Sequence, residues 1–144
     1  MRGECLCGQV RFEILGRVPD LYQCHCSLCR KQGGAASNAA TIVAAENFRW
    51  VAGAEAIGSW VKDTGFRSDF CSRCGSTVPN PFRDHPYVWV PAGLLEADAR
   101  PAVRAHLYVG SRAAWDTIAA PGVQYETMPP LAELLVLLQS GAHG

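Results

Sequence analysis

Seven cysteines, gathered into three short clusters, constrain this chain more than any other feature of its sequence. They read Cys5-Leu6-Cys7-Gly8, Cys24-His25-Cys26-Ser27-Leu28-Cys29 and Cys71-Ser72-Arg73-Cys74-Gly75, and none is left over. Cysteines one or two residues apart do not readily pair with each other, but their thiolates converge easily on one metal ion. Tetrahedral zinc takes four such ligands at about 2.3 Å, and close pairs from distant segments are how proteins assemble these sites.

Seven thiolates divide into a closed set of four and a set of three. Cys71-x-x-Cys74-Gly is a strong zinc-knuckle signal, and Cys5-x-Cys7-Gly supplies the two further ligands it needs. Zinc on Cys5, Cys7, Cys71 and Cys74 would be structural, tying the N-terminal strand to the middle of the chain. Its binding free energy then becomes folding free energy. The middle cluster carries three ligands within six residues, Cys24, Cys26 and Cys29. Its fourth position would be open to water or substrate, the mark of a catalytic zinc. A three-thiolate zinc suits the exchange of a further soft ligand, such as a substrate thiolate.

Other readings of the same residues stand beside this one. The cysteines could be inert buried thiols, or both sites could be structural with His25 closing the second. A Cys-x-x-Cys redox pair needs a helix start after a strand in a βαβ context, which the Pro- and Gly-rich β pattern does not offer. The zinc-deaminase signature is absent, because residues 24–26 read Cys-His-Cys and Phe70, not proline, precedes Cys71.

At 144 residues the chain is the size of one domain, and 49% hydrophobic with 18% charged residues is a globular composition. Thirteen basic and thirteen acidic side chains leave no net charge. With no long basic run, a nucleic-acid partner is not expected. The N-terminus has no apolar signal region, and the longest apolar run, Leu134 to Leu138, is too short to span a bilayer. A cytoplasmic location is expected, where thiols stay reduced and clustered cysteines point to metal.

Period-two alternation over Gln9–Ile14 predicts a half-buried strand, and Asp20–Gln23 a second that delivers the chain into Cys24. Residues 30–36 read as a loop or short helical turn, and Ser37–Ala44 as a strand. Phe48–Val51 leads to a turn at Gly53. Ala56–Val61 and Gly65–Phe70 read as strands joined by a turn, followed by a knuckle in which Gly75 relieves the backbone. Prolines confine residues 79–86 to loops or edge strands. Tyr87–Val90 and Ala105–Val109 are β-prone. Pro129 and Pro130 start a C-terminal helix over about 130–140, with Leu131, Leu134, Leu135 and Leu138 at helical spacing and Gly141 at its end. The sum is one mainly β domain over 1–144, its core about 3–128. The leucine stripe packs onto the domain or, alternatively, forms a homodimer contact.

The order Gly3-x-Cys5-x-Cys7-Gly8-x-Val10-x-Phe12, Cys24-His25-Cys26-Ser27-x-Cys29-Arg30-Lys31 and Phe70-Cys71-x-x-Cys74-Gly75-Ser76 resembles the glutathione-dependent formaldehyde-activating enzyme family, which shares its domain with centromere protein V. His106-Leu107-Tyr108-Val109 with Ser111–Trp115 looks like that family's C-terminal signature. The resemblance implies several coiled antiparallel sheets around zinc sites, as in Mss4-like proteins, and two zinc ions per chain. It implies structural zinc on Cys5, Cys7, Cys71 and Cys74 and catalytic zinc on Cys24, Cys26 and Cys29. The implied activity is that of a carbon–sulfur lyase joining a thiol such as glutathione to a small aldehyde such as formaldehyde. A non-catalytic thiol or zinc carrier, or an interaction module on the same fold, is the alternative. Arg30 and Lys31 are candidates to meet a substrate carboxylate. Trp50, Trp60, Trp89 and Trp115 read as core or pocket walls, and His106 as a structural hydrogen-bonding residue.

Overall fold

Alternation sets the first long pairing. In Arg11-Phe12-Glu13-Ile14, Phe12 and Ile14 are buried while Arg11 lies outside, as a strand with one wet face requires. A computed structural model describes residues 1–141, and in chain order these form eleven strands and two α-helices, with four short 3-10 helices among them. The first elements are β1 (Arg2–Glu4), β2 (Arg11–Ile14), β3 (Leu21–Cys24), α1 (Ser27–Gly33) and β4 (Asn38–Ala44). Then come β5 (Phe48–Ala52), β6 (Ile57–Val61), β7 (Arg67–Cys71), β8 (Asn80–Pro81) and β9 (Tyr87–Pro91). The last are β10 (Val103–Leu107), β11 (Val123–Gln124) and α2 (Leu131–Gln139). The chain is mainly β with several sheets and a short C-terminal helix. Among the described residues no helix is long and apolar enough to cross a membrane.

These elements group into two compact units, each made of two chain segments. The first comprises Met1–Val18 and Ile42–Ala99. Its three-stranded sheet has the order β1-β2-β5, antiparallel throughout, and β6 and β7 form a separate antiparallel pair. Phe12, Ile14, Val43 and Val90 make one buried cluster there. A second cluster packs Cys5 and Cys71 against Val10 and Val78. Cys5 and Cys71 are thus core residues of this cluster, so whatever holds them also holds the core.

The second unit comprises Pro19–Thr41 and the chain from Arg100 on. Its strands run β11-β10-β3-β4, with β3 and β4 antiparallel. β10 departs from the antiparallel pattern, lying parallel to both β3 and β11. Asp20, fully buried, accepts from the Ala102 N–H at 3.0 Å and the Arg104 Nε at 2.8 Å, pinning the start of β3 beside β10. Leu134 and Leu138 of α2 are fully buried, whereas Val136 on its other side is 69% exposed. The leucine stripe packs onto this chain's own unit.

Several local expectations change. A true helix begins at Ser27, inside the middle cysteine cluster, and is closed by Gly34 in the left-handed region. β10 stops at Leu107 because Tyr108 turns to φ 56°, a conformation that ends a strand. β1 and β11 were too short to leave a periodic signal. Of the four tryptophans only Trp89 is buried; Trp50, Trp60 and Trp115 lie exposed on the surface.

Candidate metal centres

Two cysteine knuckles of matching build make the first site. In one, the Gly8 N–H donates to the Cys5 carbonyl at 3.0 Å and the Cys5 N–H to the Val10 carbonyl at 3.0 Å. In the other, the Gly75 N–H donates to the Cys71 carbonyl at 2.8 Å and the Cys71 N–H to the Ser76 carbonyl at 2.9 Å. Both turns need a left-handed residue directly after the second cysteine, and Gly8 and Gly75 supply it at φ 78° and 81°. That local chemistry aims four sulfurs at one point: Cys5, Cys7, Cys71 and Cys74 Sγ all lie within 4.8 Å of one another.

The spacing is a test of fit. Sulfurs 2.3 Å from a tetrahedral centre stand about 3.8 Å apart. Cys5 Sγ and Cys7 Sγ are 3.7 Å apart, and Cys7 Sγ and Cys71 Sγ 3.8 Å. The donor set and its edges fit zinc. Two of the sulfurs, those of Cys5 and Cys74, are shifted toward the thiolate. The Ser76 hydroxyl and N–H bring the Cys74 thiol down to about 5. Burial pushes Cys5 up, but the Val10 N–H and the neighbouring thiols outweigh it and leave it lowered. The Gln9 N–H favours a Cys7 thiolate, yet desolvation and the three other sulfurs push that thiol up to about 11. Ser76 links the knuckles, since its Oγ also accepts from the Leu6 N–H at 2.8 Å.

The second site is local in sequence. β3 ends at Cys24, whose N–H donates to Asn38 Oδ1 at 3.3 Å, and the His25 N–H donates to the Leu107 carbonyl of β10 at 2.9 Å. Cys26 is the N-cap of α1, its sulfur accepting from the Cys29 N–H at 3.4 Å, and Cys29 lies in the first turn. Cys24, Cys26 and Cys29 Sγ converge within 4.8 Å, and no histidine, carboxylate or further cysteine among the described residues joins them. Three thiolates in this arrangement fit zinc as well. The Cys24 and Cys29 thiols and the first-turn N–H groups pull Cys26 down to about 2. The Cys26 thiolate in turn pushes Cys24 up to about 12, and Cys24 and Cys26 together push Cys29 up. Metal binds thiolate, so loading a metal on this cluster displaces protons.

A helix start after a strand, the feature missing from the sequence reading of Cys26-x-x-Cys29, is thus present. The connection joins antiparallel β3 and β4 rather than a parallel βαβ pair, and a third sulfur stands beside the two.

His25 is not one of the converging donors. Its ring is buried, with Nδ1 3.2 Å from Asp116 Oδ2 and Nε2 3.0 Å from His106 Nδ1. His106, fully buried, sets its Nε2 3.0 Å from the Ala120 carbonyl and 3.2 Å from that of Pro121. Burial lowers the His25 imidazole, against the opposing pull of Asp116. Arg30 Nη2 donates to the Ser111 carbonyl at 3.4 Å, while Lys31 is exposed. Sequence reasoning missed Asn38, Ser76 and Asp116. Ser76 stands at the end of the knuckle motif, which gave it no role, and Asp116 directly follows Trp115, just outside the C-terminal signature.

Residues 1–111 match the family described as Glutathione-dependent formaldehyde-activating enzyme. A Halomonas elongata protein named "Putative glutathione-dependent formaldehyde-activating enzyme" is 32% identical over 127 residues, covering 80% of this chain and 78% of that protein. The crystal structure of a Rhodobacter sphaeroides protein superposes with a TM-score of 0.57 at 29% identity, covering 70% of this chain and 92% of the other. The chain belongs to the glutathione-dependent formaldehyde-activating enzyme family.

Proposed function

We propose that this chain is a zinc-dependent carbon–sulfur lyase that joins a small aldehyde to a thiol, with formaldehyde and glutathione as the pair its family points to. Two zinc ions per chain are part of the proposal: a structural one on Cys5, Cys7, Cys71 and Cys74, and a catalytic one on Cys24, Cys26 and Cys29. A cytoplasmic setting, with its reduced thiols, suits both. The observation that carries the reading is the three-donor set itself. A tetrahedral ion held by three side chains has one coordination position the protein does not take, which separates catalytic from structural zinc.

Zinc bound there supplies Lewis acidity that favours the thiolate form of an incoming thiol. The chain's own residues do the rest. Asn38 and the Leu107 carbonyl hold the peptide that carries Cys24 and His25. The first turn of α1 holds Cys26 and Cys29. In the net reaction the thiol sulfur forms a bond to the aldehyde carbon, the carbonyl electron pair moves to oxygen, and the S–H proton ends on that oxygen. No oxidant or reductant is required.

The test is the initial rate of adduct formation with varied thiol, measured against the uncatalysed reaction. The zinc-loaded chain should exceed background, and Cys26→Ser should fall to it while losing about one zinc. A wild-type rate equal to background would instead favour a non-catalytic thiol or zinc carrier.

A further inference from the structure

The polar chain beside the middle cysteines has no assigned task. Asp116, His25 and His106 are drawn from segments far apart in sequence, and their side chains are nearly all out of solvent: His25 is 3% and Asp116 12% exposed. Burying three polar side chains costs free energy that apolar packing would not, and it is offset only when every contact is made. Here the contacts run in series from Asp116 through His25 and His106 to the carbonyls of residues 120 and 121. Such a series fixes direction. The carbonyls accept only, so His106 Nε2 donates to them and His106 Nδ1 accepts from His25 Nε2; His25 Nδ1 and Asp116 Oδ2 then meet across one further proton, and the ring plane and tilt of His25 are set from both sides.

His25 lies between two of the three converging cysteines. Its backbone N–H is held by the Leu107 carbonyl, next to His106 on β10. A ring clamped at both nitrogens and a peptide clamped at its N–H leave the Cys24–Cys26 segment little rotational freedom. We propose that Asp116 is a positioning residue, acting through His25 and His106 to hold Cys24 and Cys26 in the arrangement that binds metal. This rests on the reading of that cluster as a zinc site. Polar partners behind a metal site typically change its affinity by about tenfold to a hundredfold when removed.

The test uses the zinc-loaded full chain, with zinc itself as the probe. A graded chelator withdraws the metal while an alkylating reagent traps freed thiols, which mass spectrometry assigns to residues. Asp116→Ala should weaken zinc retention at Cys24, Cys26 and Cys29 by about tenfold to a hundredfold and leave retention at Cys5, Cys7, Cys71 and Cys74 unchanged. Asp116→Asn should stay near wild type, because its amide N–H can donate to His25 Nδ1 and complete the series with both imidazoles neutral. If the alanine variant is insoluble, Asp116→Ser carries the same expectation. Equal loss at both clusters would reduce Asp116 to a general folding role and overturn the proposal. Unchanged retention in the alanine variant would overturn it, as would an asparagine variant as weak as alanine. A wild-type chain whose middle cysteines are trapped at once, with no zinc to lose, would sink the zinc assignment itself and the proposal with it.

Discussion

Replacing Cys71 by serine removes one sulfur from the four-cysteine cluster and, with the structural zinc proposed there, should cost the chain most of its stability. The magnitude follows from where the ligands sit. Cys7 and Cys71 are separated by 64 residues, so a shared metal closes a long loop. Applied to a metal clip, the chain-entropy estimate for a cross-link of that span is about 4 kcal/mol. The ion's own contribution in small zinc domains is about 10 kcal/mol or more. Against a total stability of about 5–15 kcal/mol for an ordinary domain, neither loss is tolerable. Cys71 is also fully buried beside Cys5, Val10 and Val78, so a serine hydroxyl there would be desolvated among apolar groups. The middle cluster spans only Cys24 to Cys29, and its metal closes almost no loop, so Cys26→Ser should leave the urea midpoint close to wild type. The assay is urea denaturation of the wild type and both variants, with and without chelator. A soluble Cys71→Ser protein with a midpoint near wild type would refute the structural role. So would a Cys26→Ser protein destabilised as much as Cys71→Ser.

Two further outcomes are expected. Asp20→Ala should destabilise the chain by about 3 kcal/mol, the low end for breaking a buried ion pair, because Arg104 is 33% exposed and can regain water; an unchanged urea midpoint would contradict this. After zinc removal at neutral pH, alkylation should reach Cys26 first, since the Cys24 and Cys29 thiols and the first-turn N–H groups hold it as the thiolate near its value of about 2. Cys24, pushed up to about 12 and buried, should react later, and Cys24 or Cys29 appearing first in the mass map would count against it.

What could be read from the sequence depended on how local the signal was. The two knuckles are written in contiguous residues, Cys5 to Gly8 and Cys71 to Gly75, because ligand spacing and the left-handed glycine both act within one turn. Strands with alternating burial, such as β2, and the proline-started helix α2 were equally legible. The helix at Ser27 was not, because a ligand cluster and a glycine pair hide seven residues of weak periodicity. The partnership of His25 with Asp116 spans 91 residues and that with His106 spans 81, distances at which no spacing rule operates. The parallel register of β10 on β3, which pairs His106 with Gln23 and Leu107 with Cys24, is likewise a product of tertiary packing. His25 and His106 drew notice as isolated residues, but their connection exists only in the fold.

Cadmium-113 NMR of the cadmium-substituted chain tests the division of seven cysteines into four and three most directly. Two resonances are expected, one in the range of four-thiolate cadmium and one upfield of it from the cluster of Cys24, Cys26 and Cys29. Glutathione should move only the second, toward the four-thiolate range, as its sulfur takes the position the protein leaves. A single resonance, or two that ignore glutathione, would contradict a thiol-binding metal at the middle cysteines.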